Sequence, residues 1–369
     1  MEFVIESDNL AKGLYRAQGI VERRTAMPIL SNVLFETVDD SIKLMATDLE
    51  VGMTCRHPAE VKQAGSLTVN ARYLYEIVRG LKNQPVHVKK LENNWAQVRC
   101  GSNEYKLLGM PAEDFQQLPD ISDVELVEVS GDDLQQMIEK TSFAVSTDES
   151  RYNLNGSFLE KIDGKYRMTA TDGHRLAMVE KDMASGGAGP SLKEGILIPR
   201  KGLVEMRRIL EAEEGAVKIG HHGNNFVFIQ AEVTVVMRLL EGQFPDYRQV
   251  VPGEQKVNVK LSRKELMESL RRVSVFSSNK NLGLKLVISK GKLLVTSSNP
   301  DMGEAREQID VEYGGDEMTV GFNAKYLIDA LSAMSEDEVM VSLEDDLSPG
   351  VFRPVGDDSY TCVIMPMRI

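Results

Sequence analysis

Histidine and aspartate are the residues through which this chain could do acid–base or metal chemistry. His174 follows Asp172 closely enough to suggest an acid–base pair, but no nucleophile motif lies beside them, and neighbouring positions on an extended strand point to opposite faces. The pair His221-His222 has no Cys, Glu or third His at the spacing of a zinc site. Glycine-rich stretches lack the Lys-Ser/Thr of a phosphate-binding loop. The sequence therefore predicts a binding protein without a catalytic residue, a metal site or a cofactor.

Composition predicts a soluble globular protein of about two or three domains. The chain has 369 residues, of which 42% are hydrophobic and 27% charged, and its net charge is −13. No apolar run reaches the roughly 18 residues of a membrane span, and the first residues lack the basic region of a signal peptide. Cys55, Cys100 and Cys362 each lie in an apolar, strand-like stretch, so buried thiols are predicted. We expect a cytoplasmic protein.

The element that would position Asp172 is a strand broken by a turn. Residues 165–180 alternate apolar and polar side chains as far as the turn Thr171-Asp172-Gly173, after which an apolar pattern resumes. Similar strand–turn–strand segments surround Asp48 and Asn299, so the three turns lie roughly 125 residues apart, an ordinary domain length. The spacing predicts a threefold repeat.

Each repeat is predicted to contain two helices and about eight short strands, which gives an α+β fold. The predicted helices cover residues 7–24, 70–82, 130–141, 199–211, 262–273 and 323–334. Asn70 and Asn323 are predicted to be N-caps. Pro, Gly and acidic residues interrupt the patterns between the repeats. The predicted domains are 1–125, 126–253 and 254–369.

Charge is distributed unevenly along the chain. Four of the six predicted helices are net basic, although the whole chain is net acidic. Basic residues recur at seven-residue spacing away from the apolar stripe, as with Arg72 and Arg79 or Lys201 and Arg208. A solvated helix face would explain any one helix. The shared sign of several helices instead favours a surface that holds a polyanion, on a body that repels it elsewhere.

Several segments give the chain a resemblance to a known family. They are Thr169 to Ala177, Ile198 to Gly202, Phe244 to Arg248 and the C-terminal Val363 to Ile369. Together with the repeats, they resemble bacterial sliding clamps, the beta subunits of DNA polymerase III, along the whole chain. The resemblance implies three similar clamp domains and a head-to-tail homodimeric ring that slides along duplex DNA. It further implies that the ring tethers the replicative polymerase alpha subunit, the clamp-loader delta subunit, repair polymerases and other proteins with short binding motifs.

Helix dimensions independently favour a dimer if the basic helices line a hole. Helices about 10 Å thick and packed about 9 Å apart leave roughly 7 Å clear when six of them close a ring. Twelve helices leave about 24 Å, which admits a duplex roughly 20 Å across. One chain would therefore be too small to encircle DNA, whereas two chains would suffice.

The resemblance and the charge pattern together predict a DNA surface and a dimer interface. Arg24, Arg72 and Tyr152 match family positions near DNA, and charge adds Arg79, Arg200 and Lys201. Tyr105 and Leu107, in a short alternating strand, match apolar interface positions that face Val275 and Phe276 of a second copy. The alternative is that these four apolar residues only complete the core of their own domains.

The resemblance also implies a groove for short linear peptides at the junction of the second and third domains. The implied groove residues are Arg151, Leu154, Thr171, Gly173, His174, Arg175, Leu176, Pro245, Val250, Asn323, Tyr326, Val363, Ile364, Met365, Pro366, Met367 and Arg368. Methionine side chains suit varied apolar anchors, and glycine allows close backbone approach. The alternative is that the turn is only structural. The first and third repeats keep the turn without the sequence His-Arg-Leu, which favours a function for that sequence.

Two other classes of function remain open at this point. A nucleic-acid enzyme would need a metal–carboxylate or nucleophile set that the sequence does not supply. A three-domain adaptor that binds only proteins would make the helix charges incidental. Retention on circular DNA that is lost when the DNA is linearised would separate a topological clamp from both.

Overall fold

The computed structural model describes residues 1–22, 26–81, 83–183, 192, 194–253, 255–277 and 283–368. In that part of the chain, the first repeat contains β1 (Glu2–Glu6), α1 (Ser7–Ile20), β2 (Asn32–Val38), β3 (Ser41–Thr47), β4 (Val51–Pro58), β5 (Glu60–Gln63), β6 (Ser66–Asn70), α2 (Ala71–Val78), β7 (Pro85–Lys90), β8 (Trp95–Cys100) and β9 (Asn103–Leu108).

The second and third repeats follow the same order of elements, each without a counterpart of β5. The second contains β10 (Val127–Val129), α3 (Gly131–Thr141), β11 (Gly156–Ile162), β12 (Lys165–Thr171), β13 (Arg175–Lys181), β14 (Ile196–Pro199), α4 (Arg200–Leu210), β15 (Val217–His222), β16 (Asn225–Gln230) and β17 (Val233–Arg238). The third contains β18 (Val257–Ser262), α5 (Arg263–Val273), β19 (Gly283–Ser289), β20 (Lys292–Asn299), β21 (Gly303–Asp310), β22 (Met318–Asn323), α6 (Ala324–Ser332), β23 (Glu338–Leu343), β24 (Gly350–Pro354) and β25 (Tyr360–Ile364).

The helices form where capping and apolar spacing predict them, but α1 and α2 end earlier than predicted, and α2 ends at Val78 rather than at residue 82. Asn70 and Asn323 cap α2 and α6 by accepting hydrogen bonds from the backbone N–H groups of Tyr73 and Lys325. The predicted end of the first helix at residue 24 is wrong, because α1 ends at Ile20 and the next residue has an extended backbone. No helix in the described residues is long and apolar enough to cross a membrane.

All strand pairs are antiparallel, and the chain packs as two compact units. One unit comprises Met1–Asp132 and Lys201–Leu239 with sheets ordered β5-β1-β7-β8-β9 and β10-β15-β16-β17-β4-β3-β2-β6. The other comprises Asp133–Met183, Leu192–Arg200 and Leu240–Ile369 with sheets ordered β14-β11-β12-β13-β25-β24-β23-β18 and β21-β20-β19-β22. We call them the first and the second unit.

The second repeat is divided between the two units because its strands extend both neighbouring sheets. In the first unit β17 pairs with β4 of the first repeat, and Val235 lies opposite Met53. In the second unit β13 pairs with β25 of the third repeat, and Ala177 lies opposite Cys362. Backbone pairing therefore joins successive repeats as firmly as it joins the strands within one repeat.

The predicted buried thiols are confirmed. Cys55, Cys100 and Cys362 are all buried and free. Burial raises the pKa of Cys55 and of Cys362 to about 12. A thiolate is therefore disfavoured at both positions, and neither is suited to nucleophilic chemistry.

Candidate functional site

The turn between β12 and β13, in the second unit, is fixed by its own side chains. Asp172 Oδ1 accepts hydrogen bonds from the backbone N–H groups of His174 (2.9 Å) and Arg175 (3.0 Å). Thr171 Oγ1 donates to the carbonyl of Arg175 at 2.7 Å and accepts from the N–H of Gly173 at 3.1 Å. Gly173 has a φ of +88°, which other residues rarely adopt. The turn is therefore rigid, and it holds the His-Arg-Leu sequence in one conformation.

Arg175 ties this turn to helix α6. Its guanidinium contacts Asp172 at 3.1 Å and Asp329 at 2.6 Å, and it donates to the carbonyl of Phe143 at 2.5 Å. The guanidinium carbon also lies 4.5 Å from the centre of the Tyr326 ring. Only 9% of the residue is exposed. Arg175 therefore shapes the site, because its donors are already engaged within the chain.

A mostly apolar groove opens beside the turn. It is lined by Leu154, Thr171, Gly173, His174, Arg175, Leu176, Pro245, Tyr247, Val250, Val363 and Met365. Its floor is a buried cluster that includes Leu176 and Val363. Val250 and Met365 remain 40% and 38% exposed at the groove. Such a surface suits the apolar anchors of a short peptide.

The C-terminal strand continues past β25 to form one side of the groove. The N–H of Met365 donates to the carbonyl of His174 at 2.8 Å, and the N–H of Met367 donates to the carbonyl of Gly321 at the same distance. These two bonds hold the segment after Ile364 in place, so the side chain of Met365 reaches the groove. The segment from Met365 to Met367 is thus docked on its neighbours.

A second, more polar cavity shares His174 and Arg175 with the groove. Arg151, Arg200, Lys325 and Tyr326 also line it, together with Asp148, Asp172 and Asp329. The rings of His174 and Tyr326 stack with their centres 6.4 Å apart. Charged side chains of both signs here would contact the polar residues of a peptide whose apolar residues enter the groove.

The structure separates the predicted groove residues into three sets. Arg151 and Tyr326 line the polar cavity, and most of the others line the apolar groove. The residues Asn323, Ile364, Pro366, Met367 and Arg368 line neither cavity. Asn323 and Ile364 are buried, and the Asn323 side chain caps α6. Tyr247 lines the groove but was not predicted, although its motif, Phe244 to Arg248, carries the family resemblance.

The first unit contains a counterpart of the groove turn with a different set of side chains. Asp48 Oδ1 accepts from the N–H groups of the residues two and three positions later at 2.9 and 2.6 Å, as Asp172 does. By strand register, Gly52 takes the place of Leu176. A β-carbon on Gly52 would lie 2.2 Å from Cδ2 of Leu118. In this repeat a leucine of the same chain fills the space beside the turn.

The predicted DNA-contact residues lie in different surroundings. Arg24 is outside the described residues. Arg72 on α2, Arg200 at the start of α4 and Tyr152 are exposed. Arg79 is exposed and forms an ion pair with Glu76 at 2.6 Å. Lys201 is instead occupied within the first unit, where its Nζ contacts the Asp48 carboxylate and donates to the carbonyl of Ile20 at 2.7 Å.

The predicted dimer-interface residues lie at sheet edges or beside them. Tyr105 and Leu107 are half-buried on β9, the outermost strand of its sheet in the first unit, and their neighbour Leu108 is 61% exposed. In the second unit Val275 is 62% exposed, and Phe276 is half-buried. Phe276 lies beside Gly303, the first residue of the edge strand β21.

Three tandem repeats of helices and antiparallel sheets, with a groove between strands of successive repeats, are the fold of a DNA sliding clamp. The sequence matches the N-terminal, central and C-terminal domains of the DNA polymerase III beta subunit over residues 1–119, 128–246 and 248–368. The beta sliding clamps of Vibrio cholerae and Escherichia coli are 35% and 33% identical to it over the full length of both chains.

Solved structures agree with the sequence comparison. The DNA polymerase III beta subunit of Pseudomonas aeruginosa superposes on the whole chain with a TM-score of 0.94 at 34% identity. The sliding clamp of Bartonella birtlesii bound to griselimycin superposes with a TM-score of 0.94 at 32% identity, again over all of both chains. The chain belongs to the family of the DNA polymerase III beta subunit, the beta sliding clamp. As a member it is a non-catalytic processivity factor of a DNA polymerase.

Proposed function

We propose that two copies of this chain close head to tail into a ring around duplex DNA and tether partner proteins through the groove beside the Thr171–Leu176 turn. The observation that carries the proposal is the open apolar groove, with a rigid turn on one side and Met365 on the other, in a chain with the clamp fold. In this proposal the domains are 1–125, 126–253 and 254–369, and the ring acts in the cytoplasm.

Partner recognition follows from the two cavities of the second unit. A leucine or phenylalanine side chain enters the apolar groove, where Leu176 and Val363 form the floor. Polar residues of the same motif contact the neighbouring polar cavity near Tyr326. The partners are the polymerase alpha subunit, the clamp-loader delta subunit and repair polymerases. They compete for one groove because each carries a short motif of the same chemistry.

Ring closure follows from two unpaired sheet edges. In the described residues β9 and β21 each have a neighbouring strand on one side only. Pairing β9 of one copy with β21 of the other removes both edges and covers the exposed side chains of Leu108 and Val275. Tyr105, Leu107 and Phe276 support this contact from within each copy.

DNA is held by phosphate contacts that do not read the base sequence. A ring with bidentate base contacts, worth about 1 to 3 kcal/mol each, would stop at preferred sequences. Arg72 and Arg200 are exposed and suited to phosphate contact. Replacing one of them with alanine reduces the slope of log affinity against log salt concentration by about one. Lys201 pairs with Asp48 and contributes less.

The decisive experiment measures topology rather than affinity. The chain is loaded onto nicked circular DNA with a clamp loader, separated by gel filtration, and the DNA is then cut once with a restriction enzyme. The ring should remain on the circle and leave the linear molecule. Equal retention on both would contradict the ring, and a preference for one duplex sequence would contradict the phosphate contacts. A circle cut and religated before loading is the control.

A further inference from the structure

A row of charged residues lies beside the groove, on the same sheet face as the groove floor. Strand register places Glu160 of β11 opposite Arg167 of β12, and Arg167 opposite Glu180 of β13. Leu176 lies four residues before Glu180 on β13, so its side chain shares that face. One sheet face therefore carries the groove floor and, further along its strands, this row.

The row holds the segment that forms one side of the groove. The hydroxyl of Tyr247 donates to Glu160 and accepts a hydrogen bond from Arg167 Nη1 at 2.8 Å. Arg248 Nη2 donates to the other carboxylate oxygen of Glu160 at 2.9 Å. Glu160 is only 6% exposed and Tyr247 only 3%. Both carboxylate oxygens are thus used to hold two successive residues of the segment.

The same segment reaches the groove with its other side chains. Pro245 and Val250 line the groove on either side of Tyr247 along the chain, and the ring of Tyr247 lines it as well. The ring of Phe244 stacks on the ring of Phe158, with ring centres 5.1 Å apart. The hydroxyl of Tyr247 is the more buried of two polar attachments of this segment to the row, and the other is the exposed guanidinium of Arg248.

We propose that Glu160 and Arg167 are positioning residues for partner binding, and that they act through the hydroxyl of Tyr247 without touching the peptide. The inference rests on the proposed groove. Without that attachment the segment from Pro245 to Val250 samples other positions, and only a fraction of molecules has a groove ready for the peptide. The apparent affinity for the peptide is then the intrinsic affinity multiplied by that fraction. Because a buried carboxylate that loses a partner is costly, the attachment is stronger than an ordinary surface contact.

The test compares two tyrosines of the second unit that each lose only a hydroxyl. Tyr247→Phe keeps the ring that lines the groove and removes the attachment. Tyr360→Phe is the matched control, because Tyr360 is also buried and its hydroxyl donates to the carbonyl of Lys140 at 2.9 Å, away from the groove. The probe is a fluorescein-labelled pentapeptide that contains Gln, Leu and Phe, and its Kd is measured by fluorescence anisotropy.

We expect about a tenfold rise in Kd for Tyr247→Phe and less than a twofold change for Tyr360→Phe. Glu160→Gln keeps the shape of the side chain but replaces one of its two acceptor oxygens with an NH2 donor, so it removes one of the two attachments. It should raise Kd about fivefold and carries the test if Tyr247→Phe does not fold. In the double variant Tyr247→Phe/Glu160→Gln, the rise in Kd should be smaller than the product of the two single rises, because both changes break the same attachment.

Three results would overturn the inference. They are unchanged binding by Tyr247→Phe, an equal loss in both tyrosine variants, and effects of Glu160→Gln and Tyr247→Phe that multiply. If the unaltered chain does not bind the pentapeptide at all, the groove itself is refuted, so failure of the proposed function is distinguished from failure of the positioning.

Discussion

Replacing Arg175 with alanine should loosen the groove turn without unfolding the chain. The guanidinium joins Asp172, Asp329 and the carbonyl of Phe143, at 3.1, 2.6 and 2.5 Å. In Arg175→Ala the two carboxylates lose their cation, and the carbonyl loses its donor. The turn would then be held by the hydrogen bonds of Asp172 and Thr171 within it, by the bond from the Met365 N–H to the carbonyl of His174, and by the apolar cluster behind it.

The size of the effect follows from the burial of the three groups. Breaking a buried ion pair by removing one partner costs about 3–5 kcal/mol. The Asp329 side chain is 28% exposed and that of Asp172 16%, so water recovers part of this loss. We therefore expect a loss of about 2–3 kcal/mol in the local opening free energy of the turn, which is about a 30- to 150-fold increase in amide exchange.

Hydrogen–deuterium exchange of the fragment that covers residues 171–181 measures this opening directly. The amide exchange of Arg175→Lys should lie between that of the unaltered chain and that of Arg175→Ala, because an ammonium keeps the charge but lacks the planar fork of the guanidinium. The double variant Arg175→Ala/Asp329→Ala should exchange more slowly than Arg175→Ala, since it removes an unpaired carboxylate. Exchange within threefold of the unaltered chain would refute the assignment of Arg175 as the link between the turn and α6.

Three further outcomes follow from the structure. Phe276→Asp should give soluble monomers in sedimentation velocity. The control Leu347→Asp, which changes an apolar side chain 64% exposed in a hairpin turn, should stay dimeric. A dimeric Phe276→Asp would contradict the interface. Deleting residues 365–369 should abolish pentapeptide binding in an anisotropy titration and leave the dimer intact, because Met365 forms one side of the groove. Burial, together with Arg16 and Lys12, lowers the pKa of His57 from 6.5 to about 4. The contribution of neutral His57 to stability is therefore complete above pH 6.5 and decreases by about 3 kcal/mol in total as pH falls towards 4. Urea unfolding of His57→Gln should lack this loss, and equal pH dependence of the unfolding free energy in both chains would refute the prediction.

Local signals in the sequence were sufficient for the repeats and for most helices. Asn70 and Asn323 were recognisable as caps because capping depends on residues a few positions apart, and both accept the expected backbone hydrogen bonds. The turn at Asp172 was recognisable for the same reason. Hydrophobic periodicity did not locate the end of α1 at Ile20, since it weakens at helix ends.

Contacts between distant residues could not be predicted from these patterns. Arg175 pairs with Asp329, 154 positions away, and Lys201 pairs with Asp48, 153 positions away. Side-chain charge alone assigned Lys201 to the DNA surface, although in the fold its ammonium is already neutralised. Tyr247 was overlooked as a groove residue because a tyrosine between Asp and Arg resembles a polar turn, and only the fold places it among the residues that line the groove.

The leucine that fills the space beside the first repeat's turn limits how many partners one ring can hold. Asp48 and Asp172 organise the same backbone, but Leu118 occupies the position beside Gly52, so in the described chain the duplicated turn does not produce a duplicated groove. In the proposed ring of two chains, the two first repeats therefore add no attachment points. Two proteins whose motifs fit the groove of the second unit cannot both occupy the same copy, and exchange between them requires one to release its motif before the other binds.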